Sequence, residues 1–130
     1  MRVFDHTLQT LQASLDARLL RQNVLASNVA NVDTPAYRPK DVDFGAAMDE
    51  ALASMKERDE GRSGFVTARQ GADPAIIDGE GTTPDGDGNS VDLDKTMAGI
   101  AENALQYEAA SRAVSKKLAI LRYVASDGSV

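Results

Sequence analysis

The sequence predicts a mainly all-α protein: long N- and C-terminal helices paired as an antiparallel coiled-coil hairpin, with a short helix and a largely irregular, Gly-rich middle. Three observations predict it. Apolar residues recur at alternating four- and three-residue steps near both ends. Of the 28 Leu, Ile, Val and Phe residues, only seven fall within 38–90. That same stretch carries 12 acids against six bases, an excess equal to the net charge of −6 on all 130 residues. The chain thus divides into 1–37, an N-terminal helix with an Asn-rich turn; 38–90, an extended, solvated middle with a short helix near 45–58; and 91–130, a C-terminal coiled-coil helix.

The N-terminal stripe runs Phe4, Leu8, Leu11, Leu15, Arg18, Gln22, Leu25, Val29 and Val32. Two of these nine positions, Arg18 and Gln22, are polar, and Leu19 and Leu20 fill the side of the stripe beside them. The helix fades at Asn31-Val32-Asp33-Thr34-Pro35, because Asn tolerates the left-handed conformation that ends helices and Pro35 disfavours helical geometry at Thr34. Phe44, Met48, Leu52 and Met55 then mark a short amphipathic helix, ended by Arg58-Asp59-Glu60-Gly61. Residues 61–90 contain seven Gly and two Pro, the composition of flexible chain. Within them Phe65-Val66-Thr67 and Ala75-Ile76-Ile77 each suit a short strand or a segment packed on the helices.

The C-terminal stripe is the cleanest. Leu93, Met97, Ile100, Ala104, Tyr107, Ser111, Val114, Leu118, Leu121 and Ala125 hold the heptad step with one polar exception and no Pro. Asp92 is placed to cap the helix and Asp94 suits its positive end, while Lys116, Lys117 and Arg122 suit the other end and Gly128 a stop. These stripes define an expected seam of Leu8, Leu11, Leu15, Leu25, Val29, Leu93, Met97, Ile100, Tyr107, Val114, Leu118 and Leu121. The seams are narrow. Two helices side by side leave shoulders such as Leu19, Leu20, Leu105, Ile120 and Val124 partly wet, so a lone hairpin is marginal and further copies or partner chains would bury the rest.

Composition excludes several classes. With a pI near 4.7 and no basic stripe, the chain lacks the cations that neutralise nucleic-acid phosphates. No apolar run is long enough to span a bilayer, and Met1–His6 lacks the continuous apolar core of a secretory signal. With no Cys, disulfide frameworks and thiolate metal sites are absent. No cofactor and no small-molecule substrate is expected. His6 has no nucleophile beside it. A calcium loop begun at Asp85 would put Ser90 where a Gly is required and Thr96 where a bidentate Glu is required. Asp92 and Asp94 read as capping residues, and Asp41 with Asp43 is the one carboxylate pair left for acid–base chemistry, a remote hydrolase reading.

One stretch is too particular to be generic: Asn28-Val29-Ala30-Asn31-Val32-Asp33-Thr34-Pro35-Ala36-Tyr37, followed by Asp41-Val42-Asp43-Phe44. It reads as a helix end turned into an extended, aromatic-anchored segment, with Asn28 and Asn31 on one face of the last turns, Asp33 and Thr34 bonding the turn, and Tyr37 and Phe44 as anchors. Together with Gly88-Asn89-Ser90-Val91-Asp92-Leu93-Asp94 and Ser115-Lys116-Lys117-Leu118, it resembles the signature of the axial proteins of the bacterial flagellum, the rod and hook subunits, and its proximal-rod members most. The resemblance covers roughly 1–58 and 88–123. It departs at Ala36, where the family usually has Gly, and at Pro39, where a smaller residue is usual. A type II turn centred on Pro35-Ala36 would force Ala36 to positive φ at a cost of ~1 kcal/mol or more, whereas a type I turn would not.

The resemblance implies a structural subunit of the basal-body proximal rod, not an enzyme. It implies a tube that transmits torque and encloses an export channel, on the periplasmic side of the inner membrane, reached by flagellar type III export without signal-peptide cleavage. The partners implied are other copies of the chain, other proximal-rod proteins, the rod–ring adapter protein, the inner-membrane ring and the export gate. A sister rod protein and a soluble coiled-coil adaptor or export chaperone are the alternatives.

Overall fold

A computed structural model describes residues 2–59 and 75–126, with the side chains of 2–5 and 54–59 left aside. The order is α1 (Arg2–Ala30), β1 (Lys40–Val42), α2 (Phe44–Asp59), β2 (Ile76–Asp78) and α3 (Leu93–Ala125). The expected short helix is present, and Ala75-Ile76-Ile77 contributes to a strand; Phe65-Val66-Thr67 and Gly128 lie outside the described residues. At 33 residues α3 is about 50 Å long. Asp92 caps it, its carboxylate accepting from the Lys95 N–H at 2.9 Å, and the helix stops at Ser126.

α1 and α3 pack together in antiparallel sense. Leu25 lies against Gly99, and Arg18, two turns earlier, lies against Asn103 and Gln106, one and two turns further along α3. β1 and β2 form an antiparallel pair in which Asp41 faces Ile77. The small core sits where α1, α2 and this pair meet. Ala17, Val24, Val42, Ala47 and Ala75 are buried there, and Leu20, Phe44, Met48 and Ile76 pack against them. Three of these five buried residues are Ala, so the layers approach closely over little apolar volume.

The expected C-terminal seam is not the surface that α3 turns toward α1. Leu93, Met97, Tyr107 and Leu118 are exposed, Met97 by 51%. Ile100, Val114 and Leu121 are half-buried. The inward face instead carries Thr96, Gly99, Asn103 and Gln106, and Asn103 is the bulkiest fully buried side chain among the described residues. Two physical facts account for the difference. A small residue at 99 leaves room for Leu25, whose methyl carbons lie at ordinary contact distance from where a Cβ would stand, and the polar Arg18 and Gln22 of α1 require polar partners across the interface. A heptad also drifts by about 20° per repeat around a straight helix, which is why Val114 and Leu121 reach the inward face and Leu93 does not. On α1 the expectation holds better: Leu25 is buried, and Leu8, Leu11, Leu15 and Val29 are half-buried.

Candidate assembly site

The end of α1 is a junction built by side-chain amides. Asn28, 2% exposed, uses its whole amide as a strand would use a peptide. Its Nδ2 donates to the Lys40 carbonyl at 2.7 Å, and its Oδ1 accepts from the Lys40 N–H at 2.9 Å and from the Tyr37 hydroxyl at 3.2 Å. β1 is thereby stitched to the helix on one edge and to β2 on the other. Asn31 acts locally: its Nδ2 donates to the Ser27 carbonyl, and its Oδ1 accepts from the Thr34 hydroxyl at 3.1 Å.

The chain then reverses at Thr34-Pro35-Ala36-Tyr37, closed by the Tyr37 N–H on the Thr34 carbonyl. Ala36 has φ of 59°. This is the positive value that a type II turn demands at its third position, so of the two turn geometries open to the sequence the strained one is present. Asp33 and Pro35 lie exposed on the outside of this reversal.

Asn89 ties the middle of the chain to the same place. It is 4% exposed, and its Nδ2 lies 2.7–3.0 Å from the carbonyl oxygens of Asn31, Val32 and Thr34, its two protons shared among three acceptors. Its Oδ1 accepts from the Val91 N–H at 2.8 Å. Carbonyls beyond a helix end are short of donors; those of Asn31 and Thr34 take one backbone N–H each, and a side chain from 55–58 residues further along supplies a further donor to all three. Two backbone bonds reinforce the dock, Ala36 N–H to the Asp87 carbonyl and Ser90 N–H to the Tyr37 carbonyl. The Gly-rich segment is irregular, yet it is fastened.

Asp41 and Asp43 serve separate structural ends. Arg21 grips Asp41 with two bonds, Nε to Oδ1 at 2.8 Å and Nη2 to Oδ2 at 3.0 Å, and the Val42 N–H donates to Oδ1 as well. Burial works against the Asp41 charge, but these donors outweigh it and hold the carboxyl below the usual carboxylate range. The same bond raises Arg21. Asp43 caps α2, accepting from the Ala46 N–H at 3.1 Å. Phe44 lies beneath the Arg18 guanidinium, 4.6 Å from its ring centroid. Among the described residues no cluster of His, Asp and Glu is placed to hold a metal ion, and no helix is long and apolar enough to cross a membrane.

The second feature is the outer face of α3. Leu93, Met97, Leu105, Tyr107, Leu118, Ile120, Tyr123 and Val124 are all exposed, Leu105 by 69%. Leu93, Met97, Tyr107 and Leu118 share one side of the helix, while Leu105, Ile120, Tyr123 and Val124 lie on others, and large apolar side chains left open to this extent mark a surface for other chains.

The junction and the open helix match a known family. Residues 8–38, which span most of α1 and its reversal, match the model for the flagella basal body rod protein. The chain is 32% identical to the flagellar basal body rod protein FlgB of Yersinia ruckeri, over 80% of this chain and 82% of that one. It is 32% identical to FlgB of Salmonella typhimurium, over 80% and 81%, and 28% identical to FlgB of Bacillus subtilis, over 98% and 99%. The chain belongs to the FlgB family of flagellar basal body rod proteins. A FlgB-family chain is a structural protein of the flagellum, located in its basal body.

Against this identity the quoted motif residues fall into groups. Asn28, Asn31, Thr34 and Tyr37 meet at one junction, Asp33 and Pro35 flank it, and Asp41, Asp43 and Phe44 anchor the strand and helix that leave it. Three residues with large roles were hidden in the sequence. Asn89 stands there only as one member of the Gly88 to Asp94 motif, Arg21 draws no reading, and Asn103 falls between positions of the apolar stripe. The signal for the last was the pair of polar interruptions at Arg18 and Gln22, which called for a polar residue opposite.

Proposed function

We propose that the chain is a subunit of the proximal rod that assembles through the exposed apolar side chains of α3. The observation carrying this reading is the set of exposed large apolar side chains from Leu93 to Val124 on the sides of α3 that α1 leaves open. Burying such side chains is worth roughly 1.5–3 kcal/mol each, and α1, packed on the Thr96, Asn103 and Gln106 side, leaves them open. Copies of the chain and other proximal-rod proteins, which present helices of the same kind, are the partners. Contacts between unlike faces that do not close on themselves extend into a helical tube. Such a tube can enclose a channel and carry torque from rotor to hook.

The junction around Asn28, Asn31, Tyr37 and Asn89 sets where the chain leaves the tube wall. The remaining partners of this reading are the rod–ring adapter protein, the inner-membrane ring and the type III export gate, through which the subunit passes without signal-peptide cleavage. The weak, polar contact between α1 and α3 suits a chain that has to be unfolded for a narrow passage. Substituting Leu105→Glu together with Leu118→Glu tests the surface. The variant is expected to be exported yet missing from purified basal bodies, with motility lost. Normal incorporation and swimming would overturn the assignment.

A further inference from the structure

The rotation of α3 about its own axis decides which of its faces neighbouring subunits meet, and a buried polar layer controls that rotation. Asn103, 1% exposed, donates through Nδ2 to the Arg18 carbonyl at 2.9 Å and to Gln22 Oε1 at 3.0 Å. One turn along, Gln106 accepts from the Arg18 guanidinium through Oε1 and donates to Glu102. Arg18 and Gln22 are the two polar positions in the otherwise apolar stripe of α1, and Asn103 and Gln106 are what α3 sets against them.

α3 carries a second face that suits α1 better by hydrophobicity. Met97, Ile100, Ala104 and Tyr107 lie about a quarter of a turn from the inward face. Rolled by that amount, α3 would bury its own apolar stripe and close the hairpin on itself. It would then offer neighbours Thr96, Asn103 and Gln106 in place of Met97 and Tyr107. Rolling is opposed because it would set Arg18 and Gln22 under methionine and tyrosine and break their bonds to Gln106 and Asn103. Asn103 Oδ1 and Arg18 Nε have no protein partner among the described residues, so the layer is not the most stable filling for this interface. Polar groups retained inside helix pairs at some cost in stability are the best-attested means of fixing register and partner face.

We infer that the layer of Arg18, Gln22, Asn103 and Gln106 is a rotation key that prevents the subunit from burying its own assembly surface. The inference rests on α3 being that surface, and its test is independent of assembly. The chain has no Cys, so a single engineered thiol reports accessibility in the free subunit. Met97→Cys places it on the outer face and Thr96→Cys on the inner. In the otherwise unsubstituted chain the thiol at 97 is expected to react with a maleimide at least about tenfold faster than that at 96. In a background carrying Arg18→Leu and Gln22→Leu, which completes the apolar stripe of α1 and leaves the Asn103 side chain without Gln22, the order is expected to reverse, with helicity by circular dichroism maintained.

An unchanged order in that background would overturn the key, as would equal rates in the unsubstituted chain. Fast reaction at both positions in the double variant would also overturn it, reducing the layer to one that only adds stability. The assembly reading fails separately. In that case the thiol rates reverse as expected, while the Leu105→Glu, Leu118→Glu chain still enters basal bodies.

Discussion

Gly88 and Ala36 face each other across the junction, both at positive φ, 82° and 59°. A Cβ on Gly88 would stand 3.5 Å from the Ala36 Cα, ordinary contact distance, so space is not the constraint there. Backbone conformation is. Gly adopts φ > 0 freely, whereas an L side chain in the left-handed region costs roughly 1–2 kcal/mol. Ala36→Gly removes that strain but gives the unfolded chain more freedom, worth about 0.4–1 kcal/mol in the opposite direction. The net expectation is stabilisation of about 0.5–1 kcal/mol, read as a higher urea midpoint. Gly88→Ala, by contrast, is expected to destabilise by about 1 kcal/mol.

Asn89 separates hydrogen bonding from shape. Asn89→Ala leaves the carbonyls of Asn31, Val32 and Thr34 without their buried donor, at a cost of roughly 1–3 kcal/mol. Asn89→Asp keeps the volume but sets a carboxylate oxygen against three carbonyl oxygens, and should destabilise more than the alanine. Equilibrium urea unfolding of both variants at neutral pH checks the order. An aspartate variant milder than the alanine one would mean that the amide protons do not carry the dock.

The helices and their ends were legible in the sequence because they depend on local signals. Asp92 before a Pro-free apolar stripe, and Asn31 to Pro35 after one, mark boundaries whatever the rest of the chain does. Facing was less legible. The period of α3 was readable, but which side meets α1 depends on Gly99 and Asn103, which lie between the positions of the apolar stripe rather than on it. The junction was half legible. Asn28 and Tyr37 stand within one local motif, whereas Asn89 acts on carbonyls more than fifty residues away and has the composition of an ordinary turn. The irregular segment was legible as irregular, but nothing in its Gly and Asp content disclosed that it is fastened at Ser90, Asn89 and Asp87.

The Arg21–Asp41 pair gives stability a defined dependence on acid. The folded-state pKa of Asp41 is lowered against burial by its bonds to Arg21 and Val42. Its contribution is therefore complete above the unfolded value of about 3.9 and is lost as pH falls through the lower folded value. With side chains 22% and 32% exposed, the pair is only partly screened. Asp41→Asn is expected to lower stability by about 1–2 kcal/mol at pH 7 and to flatten the acid limb, so that variant and parent converge as the pH falls through the lowered folded-state value. A constant gap across that range would show that Asp41 acts through shape alone. The exposed pair of Lys95 and Glu80 should show no comparable effect when either member is neutralised.

Gly99 offers the most direct test of how closely α1 and α3 approach. A glycine in a helix interior costs about 1 kcal/mol relative to alanine. At this site a Cβ would meet the Leu25 methyl carbons at 3.6 and 3.8 Å, ordinary van der Waals distances. Gly99→Ala should therefore stabilise the hairpin by about 1 kcal/mol, since it gains helix propensity and contact with no displacement. Gly99→Phe asks the helices to separate and should destabilise by roughly 1–3 kcal/mol. The two variants bracket the gap, with chemical unfolding of each as the measurement. If alanine were as harmful as phenylalanine, the interface would be tighter than the distance to Leu25 indicates. If phenylalanine were harmless, α3 would not be held against α1 at this point.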